Sequence, residues 1–175
     1  NPLEPVSVSV SSSDTEVCAG TNVLFTATAV NGGTSPSWQW KINGAAIVGA
    51  TSSQYNYSPA NNDAVTCTLI SNTVCPTGNP ATSNTVTMTV NPLLPVSISI
   101  AASAGSVCAG TFVTFTATPV NGGNSPSFQW RVNGADIPGA TNSSYGFIPQ
   151  NGDAVTCRLI SNITCPTGNP ALSNA

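Results

Sequence analysis

The sequence predicts an all-β protein made of two tandem β-sandwiches of about seven strands each. The first indication is an internal repeat: residues 1–85 align with residues 91–175 without a gap, and 56 of the 85 positions are identical. The second is the strand pattern, since short runs of Val, Thr, Ile and aromatic residues alternate with clusters of Gly, Pro, Asn and Ser. The third is that no segment has helical periodicity. A unit of 90 residues is too long for a solenoid repeat and suits a small sandwich.

In the first copy, the strands are separated by turns of recognisable chemistry. Asn31-Gly32-Gly33 and Asn43-Gly44 supply residues that tolerate a positive φ, and Asn43-Gly44 is also a strong hairpin signal. The second copy repeats this pair as Asn133-Gly134. The predicted strands lie near residues 6–10, 21–30, 37–43, 46–48, 53–58, 64–71 and 85–90.

Alternation within these strands predicts which side chains face the core. The inward sets are Val23, Phe25 and Ala27 in the second strand, Trp38, Trp40 and Ile42 in the third, and Val65, Cys67 and Leu69 in the sixth. The large core residues are therefore expected to be Phe25, Trp40, Leu69, Phe115, Trp130 and Leu159. The outward positions are mainly Thr, Ser and Asn, so the surface binds water through hydroxyl and amide groups and has few charged groups.

The repeat divides the chain into two domains, residues 1–92 and residues 93–175. The joint contains Asn91, Pro92 and Pro95, and we expect it to be semi-rigid because proline restricts backbone rotation. The second copy lacks the counterpart of residues 85–90, which alternate and form the predicted closing strand of the first copy. Either the protein continues, or another molecule supplies this strand by β-augmentation; parsimony favours the first interpretation.

The charge composition excludes several classes of function. The chain has three Lys or Arg, six Asp or Glu and no His, and charged residues are 5% of the total, against about 25% in an ordinary domain. Three cations cannot form a nucleic-acid-binding surface. The lack of His excludes histidine-based catalysis and histidine-containing zinc sites. No apolar run approaches the roughly 18 residues of a membrane helix, so we expect no membrane insertion.

No catalytic, cofactor or metal site is predicted. Asp63 and Asp153 recur at the turn before the sixth strand, where Asp commonly stabilises a turn. The other acidic residues do not recur in the partner copy, which leaves no paired carboxylates, and no C-x-x-C pair indicates zinc. The tryptophans could form a sugar-binding platform, but Trp40 shares its face with Ile42, which favours packing in the core.

The order of the motifs C-A-G-T, F-T-A-T, Q-W, N-G, V-T-C, S-N and G-N-P-A, with the central Trp40, resembles an immunoglobulin-like sandwich. More closely, it is similar to the tandem Ig-like or PKD-like repeats of large secreted surface adhesins of gliding Bacteroidota. The resemblance covers both copies, and it implies export to the cell surface, an adhesin or fibre role and many more repeats. Ala27 stands where antibody domains carry a cysteine, so the antibody core disulfide is not expected.

Each copy carries three cysteines, and cysteines in a His-free sequence rich in Ser, Thr and Asn are typical of secreted, oxidised proteins. The predicted topology places Cys18 and Cys67 at the same end of the sandwich and Cys75 at the other end. Because the Cα atoms of a disulfide must lie within about 7 Å, Cys18–Cys67 and its copy Cys108–Cys157 are the favoured disulfides.

These two pairings leave the third cysteine of each copy without a partner inside its own domain. Cys75 and Cys165 are interpreted as unpaired or as bonded between domains, for example as Cys18–Cys165. The family resemblance implies instead a bridge that uses the last cysteine, so an intradomain Cys18–Cys75 bridge also stays open.

The expected function is structural and adhesive: a stiff, disulfide-stabilised stalk or fibre, secreted and displayed on a bacterial surface, with no enzyme activity and no cofactor. Its expected partners are neighbouring repeats of the same chain, with identical chains and surface glycans as further candidates. Two alternatives stay open. One is a homopolymeric filament with lateral or strand-donating contacts, and the other is a carbohydrate-binding accessory module.

Overall fold

A computed structural model describes all 175 residues, and the prediction of an all-β protein is confirmed. The chain folds as two compact units, Asn1–Pro92 and Leu93–Ala175. Each unit has its own hydrophobic core. The structure contains no helix that is long and apolar enough to cross a membrane.

The first unit contains two sheets and two short parallel ladders. Its strands are β1 (Glu4–Pro5), β2 (Ser7–Ser12), β3 (Glu16–Cys18), β4 (Val23–Val30), β5 (Ser37–Ile42), β6 (Ala45–Ala46), β7 (Gln54–Tyr57), β8 (Ala64–Ile70), β9 (Pro76–Thr77), β10 (Ala81–Thr82), β11 (Val86–Thr87) and β12 (Thr89–Asn91). One antiparallel sheet has the order β2-β4-β7, and the other has the order β10-β8-β5-β6, with β11 also paired to β8. β1 runs parallel to β9, and β12 runs parallel to β3.

Side chains that alternate along the strands fill the core between the two sheets. Val23 and Phe25 on β4 are fully buried, and so is Trp40 on β5. The rings of Phe25 and Trp40 meet edge to face across the core, with their centroids 6.3 Å apart. Val65 and Leu69 on β8 are also fully buried beside Trp40. Each such side chain contributes about 1.5–3 kcal/mol of hydrophobic free energy.

The predicted closing strand near residues 85–90 is divided in the structure. β11 pairs antiparallel with β8, the side chain of Met88 is fully buried, and β12 then pairs parallel with β3. Hydrogen bonds continue through this change: the Met88 N–H donates to the Asp63 carbonyl, and the Asn62 N–H donates to the Met88 carbonyl, both at 2.9 Å. The segment therefore leaves β8 and joins β3 at Met88.

The second unit repeats this plan with fewer strands. They are β13 (Leu94–Pro95), β14 (Ser97–Ala102), β15 (Val113–Val120), β16 (Ser127–Val132), β17 (Ala135–Asp136), β18 (Ser144–Phe147), β19 (Val155–Ile160), β20 (Pro166–Thr167) and β21 (Ala171–Leu172). The sheets have the orders β14-β15-β18 and β17-β16-β19-β21, and β13 runs parallel to β20. Trp130 and Leu159 are fully buried, whereas Phe115 is half-buried against the same core.

The turn at Asn43-Gly44 forms a tight hairpin between β5 and β6. Asn43 has a φ of 53° and Gly44 a φ of 82°, and the second unit repeats these values at Asn133 (52°) and Gly134 (80°). Two successive positive φ angles are what a type I′ hairpin turn requires. Two antiparallel sheets packed around a central tryptophan make each unit an immunoglobulin-like β-sandwich.

Candidate functional site

The structure divides the six cysteines by oxidation state. Cys18, at the end of β3, and Cys165, just before β20, are disulfide-bonded. Disulfides form and persist mainly in oxidising compartments such as the outside of the cell. The free thiols are Cys67, Cys75, Cys108 and Cys157.

The favoured pairings Cys18–Cys67 and Cys108–Cys157 are wrong. Cys67 does not lie near the end of its strand: it is the fourth residue of β8, lies opposite Trp40 in the ladder with β5 and is fully buried. Cys18 lies at the half-buried end of β3 instead. Burial raises the pKa of the Cys67 thiol and likewise that of Cys157. The buried thiols therefore act as small apolar core residues, and they stay protonated at neutral pH.

The two exposed thiols, Cys75 and Cys108, lie in loops. Cys75 has a φ of 58°, and its carbonyl accepts a hydrogen bond from the Glu4 N–H at 3.1 Å. The Cys108 carbonyl accepts one from the Thr111 N–H at 3.1 Å. Both side chains are therefore presented to solvent by a backbone that is held in place.

The tryptophans form no exposed platform. Trp40 and Trp130 are fully buried, and their indole N–H groups donate to the carbonyls of Ser52 and Asn142, both at 2.8 Å. Trp38 is half-buried and packs against the core of the first unit. Because a buried indole needs a hydrogen-bond partner, these bonds identify Trp40 and Trp130 as structural residues.

Phe112 is an exposed aromatic residue that our sequence analysis did not single out. Its side chain is 62% exposed and lies over Gly146 on β18. A Cβ atom added to Gly146 would be 2.5 Å from Cζ of Phe112, so a side chain at position 146 would displace the ring from this place. The signal was present in the sequence, because the first copy has Asn22 and Asn56 at these positions and both differ in the second copy. Phe112 thus covers Gly146, the one residue of β18 that has no side chain.

The recurring aspartates stabilise turns. Asp63 is buried and accepts hydrogen bonds from the Asn43 amide at 2.9 Å, the Ala60 N–H at 2.9 Å and the Tyr57 hydroxyl at 3.2 Å. Burial, followed by the charge of Asp63, raises the pKa of Tyr57. The carboxylate thus joins three parts of the first unit, the β5–β6 turn, β7 and the loop before β8, which agrees with a structural role.

Asp153 has the corresponding position in the second unit. The Gln150 N–H donates to it at 2.8 Å and the Asn133 amide at 2.9 Å, and these two bonds, in that order, lower the pKa of Asp153. The counterpart of Tyr57 is Phe147, so the third donor is absent here. No three residues of the types His, Cys, Asp or Glu lie close enough together to hold a metal ion.

Asparagine amides complete the sheet edges in both units. The Val10 N–H donates to Oδ1 of Asn84 at 2.8 Å, and Nδ2 of Asn84 donates to the Val10 carbonyl at 2.9 Å. Asn174 makes the same pair of bonds with Ile100, at 2.9 and 3.2 Å. Each side-chain amide replaces one residue of a neighbouring strand. Because unpaired edge groups are templates for association, these amides protect the edge of β2 and of β14.

The joint residues are tied to the unit in which each lies. In the first unit, Nδ2 of Asn91 donates to Oε1 of Glu16 at 2.8 Å, and Pro92 is the last residue of that unit. In the second unit, the Pro95 carbonyl accepts a hydrogen bond from Nδ2 of Asn121 at 2.7 Å. Asn91 and Pro95 lie within three positions of the boundary between Pro92 and Leu93, so the joint is short.

The chain matches no described protein family and no curated protein. Among solved structures, three N-terminal domains of the bacteriophage RB49 highly immunogenic outer capsid protein align over 90% of the chain at 14% identity, with a TM-score of 0.44. The mouse nectin-like molecule 4 ectodomain aligns over 95% at 13% identity, with a TM-score of 0.39. Fibronectin(III)-like modules of Clostridium thermocellum CbhA align over 94% at 14% identity, with a TM-score of 0.38.

The chain spans 55% of the first of these structures, 61% of the second and 89% of the third. At these identities and TM-scores, none of them informs on what the chain binds. The assignment of the fold rests on the strand topology and the buried core described above.

Proposed function

We propose that the chain is a structural and adhesive repeat module that forms a stiff extracellular stalk or fibre on a bacterial surface. The observation that supports this most directly is that the two units repeat individual hydrogen bonds as well as sequence. The Gln39 amide donates to the Ile47 carbonyl at 2.8 Å, and the Gln129 amide donates to the Ile137 carbonyl at 2.8 Å. Repetition of the fold down to single hydrogen bonds is typical of repeat proteins, in which each added unit extends the molecule.

Two further features support display outside the cell. The disulfide-bonded cysteines fit an oxidising compartment. The surface carries few charges and many hydroxyl and amide groups, so the properties of the module change little with the salt and pH of its surroundings. The motif resemblance to the surface adhesins of gliding Bacteroidota agrees with this location.

Small-angle X-ray scattering on the 175-residue chain and on two such chains joined in register tests the proposed stalk. Each unit should add roughly 35–45 Å to the maximum dimension, the length of a ten-residue strand plus a joint. A doubled chain should therefore be about twice as long. A variant with Pro92→Gly and Pro95→Gly should have the same folded units but a shorter mean dimension. A doubled chain of unchanged length would contradict the stalk.

A second candidate, a filament built by strand donation, is favoured by one observation. In the first unit, β12 (Thr89–Asn91) pairs with β3, and Val17 is half-buried there. In the second unit, the equivalent Val107 is 41% exposed and its segment forms no strand. A synthetic peptide with the sequence of residues 84–91 should raise the melting temperature of the chain, whereas a peptide with Met88→Asp should not. Equal effects of the two peptides would rule out strand donation.

A further inference from the structure

Each repeat has three cysteine positions: the first is Cys18 or Cys108, the second is Cys67 or Cys157, and the third is Cys75 or Cys165. The three positions differ in burial and in oxidation state. The second position is buried and reduced in both units, as Cys67 and Cys157. The first position is oxidised at Cys18, and the third is oxidised at Cys165. The chain therefore has one oxidised cysteine at the first position and one at the third position. The remaining first-position and third-position cysteines, Cys108 and Cys75, are free and exposed.

The third position has the same backbone setting in both units, whether oxidised or free. Cys75 and Cys165 both have a φ of 58°. The Cys75 carbonyl accepts from the Glu4 N–H at 3.1 Å, and the Cys165 carbonyl accepts from the Leu94 N–H at 3.0 Å. Both are followed by the sequence P-T-G-N-P-A. The free Cys75 therefore has the local backbone geometry of a cysteine that forms a disulfide.

The first position is equally well preserved. The Thr21 N–H donates to the Cys18 carbonyl, and the Thr111 N–H donates to the Cys108 carbonyl, both at 3.1 Å. Both cysteines lie in the sequence V-C-A-G-T. Cys108 differs from Cys18 in being exposed and reduced.

We infer that Cys75 and Cys108 are cross-linking sites, and that the partner of each is a cysteine of the other kind on another copy of this chain. Cys108 of one copy bonds to Cys75 of the next. This inference deepens the proposed structural role, on which it rests, by naming the covalent partner. Because the two positions differ, the contact is heterologous: each added copy brings one further free site, so copies join head to tail into open chains or closed rings. A net charge of only −3 per chain opposes such association weakly.

The bond needs a two-electron oxidant, and a low-molecular-weight disulfide such as oxidised glutathione supplies it. The Cys108 thiolate attacks one glutathione sulfur, forms a mixed disulfide and releases one glutathione thiolate. The Cys75 thiolate of a second copy then attacks the Cys108 sulfur and releases the second glutathione thiolate. Two protein thiols lose two protons and two electrons, and oxidised glutathione becomes two reduced molecules.

Two single variants of the full chain test the pairing. Cys75→Ser leaves only Cys108 exposed and free, and Cys108→Ser leaves only Cys75. Each variant, and an equimolar mixture of both, is incubated in a glutathione redox buffer and analysed by non-reducing electrophoresis and peptide mass mapping. The mixture should form about tenfold more covalent dimer than either variant alone, which corresponds to a preference of about 1.4 kcal/mol. The cross-linked peptide pair should contain Cys108 and Cys75, and the unmodified chain should form a ladder.

Equal dimer yields in the mixture and in the separate variants would overturn the inference, because they would show unselective oxidation of exposed thiols. The absence of dimers in all three samples would overturn it as well. The double variant with Cys75→Ser and Cys108→Ser should form no ladder and should keep its melting temperature, because both side chains are exposed. Scattering on that double variant measures the length of the module without cross-links, so failure of the cross-link and failure of the stalk can be told apart.

Discussion

Replacement of Met88 by alanine should weaken the first unit more than any change on its surface. Met88 is the only methionine in the chain, and its side chain is fully buried where β11 ends and β12 begins. Truncation of a buried methionine to alanine costs about 2–5 kcal/mol, because the lost contacts leave a cavity. A domain of this size is stable by about 5–15 kcal/mol, so Met88→Ala removes a large part of the stability of the unit. The expected fall in its melting temperature is about 10 °C or more.

Calorimetry of the full chain measures the loss, and a methyl-labelled methionine in the parent chain gives one NMR signal that reports on the first unit alone. Met88→Leu keeps most of the buried volume and should cost less than about 1.5 kcal/mol. Thr87→Ala, at an exposed neighbour, should change stability by no more than about 0.5 kcal/mol. A loss below about 1 kcal/mol for Met88→Ala would refute the view that Met88 fixes the passage of the chain from β8 to β3.

Three other measurements test the site. Folding lowers the pKa of Asp153, so this carboxylate stabilises the fold above its unfolded-state pKa of about 3.9. The stabilisation is lost as the pH falls through the folded-state pKa. Asp153→Asn should remove this acid dependence of the free energy of unfolding, measured by urea titration. Cys67 and Cys157 should resist iodoacetamide until the chain unfolds, and fast labelling would contradict their burial. Asn84→Ala should destabilise the first unit by about 1–2 kcal/mol in chemical denaturation, since Val10 loses two hydrogen bonds; an unchanged midpoint would show that water replaces the amide.

Alternation and turn chemistry made the sheets and the core predictable because both are local. The side chains of Val23 and Phe25 are two positions apart, and this period alone places them on the same face of β4. Asn43-Gly44 needs no distant partner to favour a hairpin, because its preference for positive φ is a property of the two residues. The repeat then extended each local inference from the first copy to the second.

Pairings between distant segments could not be found in this way. β1 pairs with β9 over only two residues, and their segments lie more than 70 positions apart in the sequence. A ladder of that length has no period to detect, and its parallel direction depends on the rest of the fold. The same limit produced the wrong disulfide pairing: the strand that holds Cys67 was predicted, but Cys18 lies on β3, whose pairing with β12 joins residues more than 70 positions apart.

The scarcity of charge in this chain explains why asparagine has so many structural roles. A surface with few charges has little electrostatic repulsion to limit association, and an open strand edge on such a surface would pair with its neighbours. Asn84 and Asn174 instead satisfy the N–H and C=O groups of Val10 on β2 and Ile100 on β14 with their own amides, which have the donor and acceptor of a peptide group. These amides therefore oppose strand pairing at one residue of each edge. The exposed thiols of Cys75 and Cys108 are suited to specific association, because a disulfide needs a defined geometry between its two cysteines and needs no ion pair between the surfaces that it joins.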